Sequence, residues 1–405
     1  MTVTAALIST SLSEASSPLT QFGGLSLLKR ALLTAQRCGA KTCYVLTDKN
    51  AQEELQRALL NDKRLTARVV WVPDTTPLAE AFAERLPSGE GHCLVFSCDT
   101  LFRPALVQML AQNAGQQEKE ESWQVHGGTN NAALSLVPLA QLQEEKEEVD
   151  GLKTLSPGEH FLYRLTAQSS LAKAEKNFLF ALENPHDGLV DTYLNRKFSR
   201  LLTRFFLRTP LTPNQITVLS FLTGLIGASC FLLGSYAWAV TGALLLQFST
   251  VMDCVDGEVA RVKMLESPFG EWLDISLDTV VHIAIFLGVG VAVWKQDAIA
   301  AAPLLGGMLA AAAFVSFPLI TIAEKTEEEG RQHAGWADVC LDNMVAGLTS
   351  RDYSLLVLLC AIAGKLAWFL WAAAIGAQVF WLTLVLLLYK AGRLRKSVLF
   401  TSSPD

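Results

Sequence analysis

The sequence predicts two unlike parts in one chain: an N-terminal α/β domain with a mostly parallel sheet, then an all-α integral membrane domain of six transmembrane helices, introduced by a juxtamembrane amphipathic helix. Of the 405 residues, 51% are hydrophobic and only 18% charged, where soluble domains carry about a quarter charged residues. Nearly all long apolar runs lie after Ile216. From Val3 to about Gly115, short apolar runs instead alternate with helical patterns, and strands spaced by helices imply βαβ units. The expected boundaries are 1–180 for the α/β domain, 181–212 for a linker and the amphipathic helix, and 213–397 for the membrane domain.

In chain order, strands are expected at Thr4 to Ser9, Thr42 to Leu46, Ala67 to Val72 and His92 to Ser97, with helices at Leu25 to Cys38 and near Ala51 to Leu60. The acidic stretches Gln116 to Ser122 and Glu144 to Glu148 read as solvated loops or helix faces. Eight cysteines without a C-x-x-C pair argue against a disulfide framework or a zinc site. The net charge of -6 supplies no global basic surface for neutralising phosphates, which excludes nucleic acid as a partner. Met1 to Ser17 lacks the positive start of a signal peptide, so the first domain is expected in the cytoplasm.

Between Gly188 and Arg208, Val190, Leu194, Phe198, Leu201 and Phe205 recur every three or four residues among Arg196, Lys197, Arg200, Arg204 and Arg208. This is the pattern of a basic amphipathic helix lying on a membrane surface. Six apolar segments follow: Ile216 to Gly234, Ala237 to Met252, Ile275 to Trp294, Ala298 to Ala323, Tyr353 to Gly364 with its flanks, and Ala367 to Tyr389. Basic residues cluster before the first and after the last (Lys390, Arg393, Arg395, Lys396), while the connections near Ser235, Gln296 and Lys365 are nearly uncharged. By the positive-inside rule both termini face the cytoplasm, as do the loops after spans two and four.

The chemistry concentrates at the end of span two and the start of span three, in Asp253-x-x-Asp256-Gly257-x-x-Ala260-Arg261, eight residues, then Gly270-x-x-x-Asp274-x-x-x-Asp278. Residues three or four apart share a helix face, so four carboxylates are expected to converge at one membrane face. Ionisable groups at such depth usually line a functional cavity, and carboxylates plus substrate phosphates are the ligands that Mg²⁺ prefers. Gly257 and Ala260 remove bulk where a nucleotide could approach backbone, and Arg261 can pair with phosphate. A transporter would place charges near the midplane or use paired broken helices; these aspartates sit at one end of their helices.

This motif resembles in full the signature of the CDP-alcohol phosphotransferases, whose membrane core also has six helices. The resemblance implies that a CDP-alcohol binds through two divalent ions, Mg²⁺ or Mn²⁺, that an acceptor hydroxyl attacks the β-phosphorus, and that CMP leaves. It assigns Asp253, Asp256 and Asp274 as metal ligands, with Asp278 joining the metal set as the general base. Asp253, Gly257, Ala260, Arg261 and Asp274 would line the cytidine diphosphate site. A membrane lipid environment and a homodimer are further implications, with phospholipid or related biosynthesis as the setting.

A narrower resemblance rests on Asp187-Gly188, Asn195-Arg196, Ser199, Thr212-Pro213-Asn214-Gln215-Ile216-Thr217 and Arg351-Asp352-Tyr353. These are similar to the inositol-phosphate cytidylyltransferase/di-myo-inositol-phosphate phosphate synthase group, and they nominate Asn195, Arg196, Asn214, Thr217 and Arg351 as substrate contacts. That group often has Arg after the last aspartate, where this chain has Thr279, and an acidic residue where His282 stands. The group also carries an N-terminal nucleotidyltransferase domain. Its active members resemble L-A-A-G-x-G-x-R followed by K-P, whereas Leu7-Ile8-Ser9-Thr10 and Ser17-Pro18-Leu19 occupy those places here. Asp99 stands where a metal-binding aspartate would be, or else caps a helix starting near Leu101. The expectation is a nucleotidyltransferase-like fold without the reaction; the alternative is a bifunctional enzyme that also makes its CDP-alcohol from CTP.

Overall fold

The computed structural model describes residues 2–10, 17–59, 62–75, 91–115, 122–127, 132–143, 153–158, 160–165, 171–182, 190–330 and 353–390. Both acidic stretches, except Ser122, and Arg351 lie outside these residues. The chain divides into two compact units, Met1–Leu182 and Glu183–Asp405.

The first unit is built on β1 (Val3–Ser9), β2 (Gln21–Phe22), β3 (Leu25–Ser26), β4 (Thr42–Thr47), β5 (Arg68–Pro73), β6 (His92–Ser97), β7 (Thr100–Phe102), β8 (Trp123–Gly127), β9 (Ala132–Pro138), β10 (Lys153–Leu155) and β11 (Leu162–Arg164). Its helices are α1 (Leu27–Arg37), α2 (Lys49–Leu59), α3 (Pro104–Gly115), α4 (Leu139–Gln143) and α5 (Leu171–Phe180). The seven-stranded sheet runs β10-β8-β9-β6-β1-β4-β5. β1 pairs in parallel with both β4 and β6, and β4 with β5, while β9 is antiparallel to β6 and β8.

β1 is buried on both faces, as a central parallel strand should be. Ala6 and Ile8 join one core with Leu28, Leu32 and Leu106, and Ala5 and Leu7 join another with Tyr44 and Val137. Ser26 caps α1 by accepting from the Lys29 amide. The buried Arg30 guanidinium donates to the Phe22 carbonyl at 3.1 Å and lies over the rings of Phe22 and Phe178, tying α5 to the β2–β3 hairpin.

Among the described residues of the second unit, one π turn, Asp191–Asn195, leads into α6 (Arg196–Leu207), followed by α7 (Pro213–Leu232), α8 (Tyr236–Lys263), α9 (Pro268–Asp297), α10 (Ala302–Gly330), α11 (Tyr353–Ile362) and α12 (Leu366–Lys390). Among the described residues, four helices, α7, α8, α9 and α12, are long and apolar enough to cross a membrane, and Ala302–Ser316 within α10 and Tyr353–Ile362 are shorter apolar segments. α7 and α8 meet through glycine: a Cβ on Gly242 would stand 2.7 Å from the Gly227 carbonyl oxygen, so only a hydrogen fits there.

Along α6, Ser199, Arg200 and Thr203 are buried while Phe198, Leu201 and Phe205 are more than half exposed. The helix therefore turns its polar stripe inward against α8 and its apolar stripe outward, the opposite of a helix on a soluble core and the arrangement a lipid surface would match.

Candidate active site

Helix signals in the sequence set the frame of the site. α7 starts with a full capping box: Thr212 Oγ1 accepts from the Gln215 amide, and Gln215 Oε1 accepts from the Thr212 amide, with Pro213 in the first turn. α9 starts likewise, with Ser267 Oγ accepting from the Gly270 amide at 3.1 Å and Pro268 beside it. α8 ends when Met264 takes a left-handed conformation at φ 53°; the Leu265 amide then bonds the Ala260 carbonyl and the Met264 amide that of Arg261, a Schellman closure. A non-glycine residue there costs about 1 kcal/mol, and the turn returns the chain into α9 within a few residues.

This hairpin brings Asp253, Asp256 and Asp274 together, with one carboxylate oxygen from each lying within 4.8 Å of the others. Asp253 and Asp256 are buried and Asp274 half-buried. Asp278, one turn farther along α9, is half-buried and stands outside that group, so three of the four expected carboxylates converge. A set made only of carboxylate oxygens fits a hard divalent cation.

A cavity of about 460 Å³ opens beside the cluster. Asp256, Gly257, Ala260, Arg261 and Asp274 line it, as do Asn214 and Thr217 from α7. A Cβ added at Gly257 would meet the Arg261 guanidinium nitrogens at an ordinary contact distance of 3.4 Å, so this glycine keeps the cavity wall low without being forced by its neighbour. Gly270 leaves space for Asn214, whose Oδ1 would lie only 3.0 Å from an added Cβ. The first turns of α7 and α9 both border the cavity, and amides at helix N-termini favour phosphate oxygens.

Asn195 and Arg196, read from the sequence as substrate contacts, are buried and do not line the cavity. Asn195 donates to Asp191 at 2.7 Å and accepts from Gln247 at 2.6 Å. Arg196 pairs with Glu258 at 3.1 Å. Both are occupied in seating α6 on α8. Thr279 donates to the Ile275 carbonyl of its own helix, and His282 packs against the rings of Tyr353 and Phe286. Sequence reasoning missed Glu258, which is 1% exposed, and the acidic rim residues Glu266 and Glu271. The signal for Glu258 was a charge inside an otherwise small and apolar stretch of the motif.

In the first unit, Asp99 is fully buried and held by Arg164, whose Nε reaches both carboxylate oxygens at 3.2 and 3.1 Å. It caps no helix, because residues 100–102 form β7 and α3 starts only at Pro104. Thr10 is turned onto the Leu46 carbonyl, and Ser17 Oγ accepts from the Leu19 amide.

Residues 210–389 match the CDP-alcohol phosphatidyltransferase family model. The matched segment holds the three clustered carboxylates, Asp278 and every cavity-lining residue named above. A "Bifunctional IPC transferase and DIPP synthase" of Aquifex aeolicus is 36% identical over 126 residues, covering 31% of this chain and 28% of that protein. The matches to four such bifunctional proteins span only 22% to 36% of their length. The "Inner membrane protein YnjF" of Escherichia coli is 26% identical over 201 residues, covering 48% of this chain and 91% of that protein. Among solved structures, the inositol-1-phosphate CTP transferase from T. maritima aligns with 45% of this chain and 98% of its own, at 12% identity and a TM-score of 0.33.

Proposed function

We propose that the chain is an integral-membrane CDP-alcohol phosphotransferase, which transfers the substituted phosphate of a CDP-alcohol, such as CDP-diacylglycerol or CDP-inositol, to an acceptor hydroxyl. The observation that carries this reading is the convergence of Asp253, Asp256 and Asp274 within 4.8 Å beside a cavity bordered by Gly257, Ala260, Arg261 and two helix N-termini. Carboxylates cannot bind a diphosphate directly, so their presence beside phosphate-favouring amides calls for cations between them. Two divalent ions, Mg²⁺ or Mn²⁺, would when bound neutralise the diphosphate and polarise its P–O bonds.

The chain's own groups then divide the work. Asp253, Asp256 and Asp274 hold the ions, Gly257 and Ala260 let the nucleotide approach the α8 backbone, and Arg261 pairs with phosphate. The acceptor oxygen forms a bond to the β-phosphorus as the P–O bond to CMP breaks. We assign the departing hydroxyl proton to a carboxylate oxygen of Asp278 and include Asp278 in the outer part of the metal set. Its position one helical turn from Asp274 supports this. Asn214 and Thr217 border the same cavity and are the acceptor-side contacts we favour, together with Arg351.

For the surroundings, we read the four long helices plus the two shorter apolar segments as six spans, with both termini and the site on the cytoplasmic side. Residues 1–180 then form a cytoplasmic nucleotidyltransferase-like domain, 181–212 the linker and surface helix, and 213–397 the membrane domain, acting as a homodimer among membrane lipids. The N-terminal domain is read as inactive, supported by the Asp99–Arg164 pair and by local bonds at Thr10 and Ser17. The test is to incubate the purified chain with Mg²⁺ and a panel of CDP-alcohols and hydroxyl acceptors, measuring CMP and weighing the product. Absence of CMP with every pair would overturn the reading. Release of pyrophosphate from CTP would favour the bifunctional alternative.

A further inference from the structure

Glu258 follows Gly257 directly, is 1% exposed and does not line the cavity. Its carboxylate receives three donors from one stripe of α6: Arg196 Nη1 to Oε1 at 3.1 Å, Ser199 Oγ to Oε1 at 2.7 Å and Thr203 Oγ1 to Oε2 at 2.6 Å. Two further ties flank this clamp. Gln247 donates to Asn195 near the start of α6, and the Lys263 ammonium donates to the carbonyls of Thr209 and Leu211 just beyond its end, at 2.9 and 3.0 Å. α6 is thus fastened along α8 from Gln247 to Lys263, and the paired aspartates Asp253 and Asp256 lie inside that span.

An α-helix advances about 100° per residue. On α8, Asp253, Asp256, Gly257, Ala260 and Arg261 therefore fan across about 140°, and Glu258 stands about 60° beyond Arg261. A bond made there resists rotation of α8 about its own axis. A roll of about 10° would carry a side-chain oxygen about 6 Å from the axis through about 1 Å, and reactive constellations tolerate only about 0.5 Å.

We propose that Glu258 is a positioning residue for the phosphotransfer site: by anchoring α8 to α6, it sets the direction in which Asp253 and Asp256 project toward Asp274. This rests on the function proposed above. The test uses the full-length protein and its Glu258→Gln and Thr203→Val variants. Gln keeps the size and one acceptor oxygen but removes the carboxylate charge that Arg196 pairs with; Val removes one donor while the Glu258 side chain itself is unchanged. Mn²⁺ binding is titrated by electron paramagnetic resonance on folded, monodisperse protein, and CMP release is measured against metal concentration.

The expected result is a Mn²⁺ dissociation constant raised about 10-fold in Glu258→Gln, a smaller rise in Thr203→Val, and a parallel shift in the metal needed for half-maximal CMP release. A residue that only stabilises the fold would lower the melting temperature and leave both metal constants unchanged. Metal constants within about two-fold of wild type in every variant that folds would overturn the proposal. Wild-type protein that binds no Mn²⁺ would overturn the function itself, a result distinguishable from the first.

Discussion

Neutralising Asp274 should have opposite effects with and without metal. Three carboxylates within 4.8 Å of one another repel, and at an effective dielectric of about 20 each pair of unit charges at that distance costs about 3.5 kcal/mol. Three pairs amount to about 10 kcal/mol before screening, which Arg261 and solvent reduce. Asp274→Asn removes two of the three pairs at almost no change in volume. In EDTA, the full-length variant in detergent should therefore melt no lower than wild type, and several degrees higher if even a fifth of that repulsion survives.

Metal reverses the order. A ligand at 100 times its dissociation constant stabilises by about 2.7 kcal/mol, which for a helical unit of this size corresponds to about 5 to 10 °C. Wild type should gain that shift in saturating Mg²⁺ or Mn²⁺, and Asp274→Asn should gain much less, because one of its three ligand oxygens becomes a neutral amide. The assay is a thermal unfolding series followed by intrinsic tryptophan fluorescence at increasing metal. A wild-type melting point indifferent to millimolar metal, or an equal shift in the variant, would refute the reasoning.

Further expectations follow from other parts of the molecule. Asp278→Asn should still bind Mn²⁺ but release CMP about 10²- to 10⁴-fold more slowly, the usual contribution of a general base; near wild-type turnover at saturating metal would reduce Asp278 to a positioning group. The full-length chain should release no pyrophosphate from CTP with any sugar or polyol phosphate, because Arg164 occupies the carboxylate of Asp99. Burial pushes the thiols of Cys43, Cys93 and Cys98 up to about 12, so maleimide at pH 8 should label them only after unfolding. Because their pKa is raised in the folded state, the stability they contribute is complete below pH 9 and is lost as pH climbs towards 12; faster unfolding on acidification from pH 9 to 8 would contradict that sign.

Much of this was legible in the residues themselves. The strands Thr42–Thr47 and His92–Ser97 and the helices Leu27–Arg37 and Lys49–Leu59 fall within a few residues of their expected limits, because apolar periodicity and turn residues mark elements of that length. β7 and the β2–β3 hairpin were not legible, since two or three residues are too few to show alternation, and β7 displaced the helix expected at Leu101. For α6 the periodicity identified the stripe, while its direction towards lipid came from its place ahead of the first span: Phe198, Leu201 and Phe205 are equally spaced whether they face protein or lipid. Spacing placed Asp253 beside Asp256 on one face of α8, and the short connection to α9 pointed to Asp274 as their neighbour. The separation of Asp278 from that group, and the engagement of Asn195 and Arg196 by Gln247 and Glu258, depend on how α9 and α6 pack against α8, which spacing within one helix does not encode.

The most direct measurement of the central claim follows one oxygen atom. An acceptor alcohol labelled with ¹⁸O at its hydroxyl is incubated with the full-length protein, Mg²⁺ and a CDP-alcohol, and both products are weighed by mass spectrometry. Attack by that hydroxyl on the β-phosphorus predicts all of the ¹⁸O in the phosphodiester, none in CMP, equal amounts of the two products, and no reaction in EDTA. Label appearing in the nucleotide, or phosphodiester formed without CMP, would contradict it.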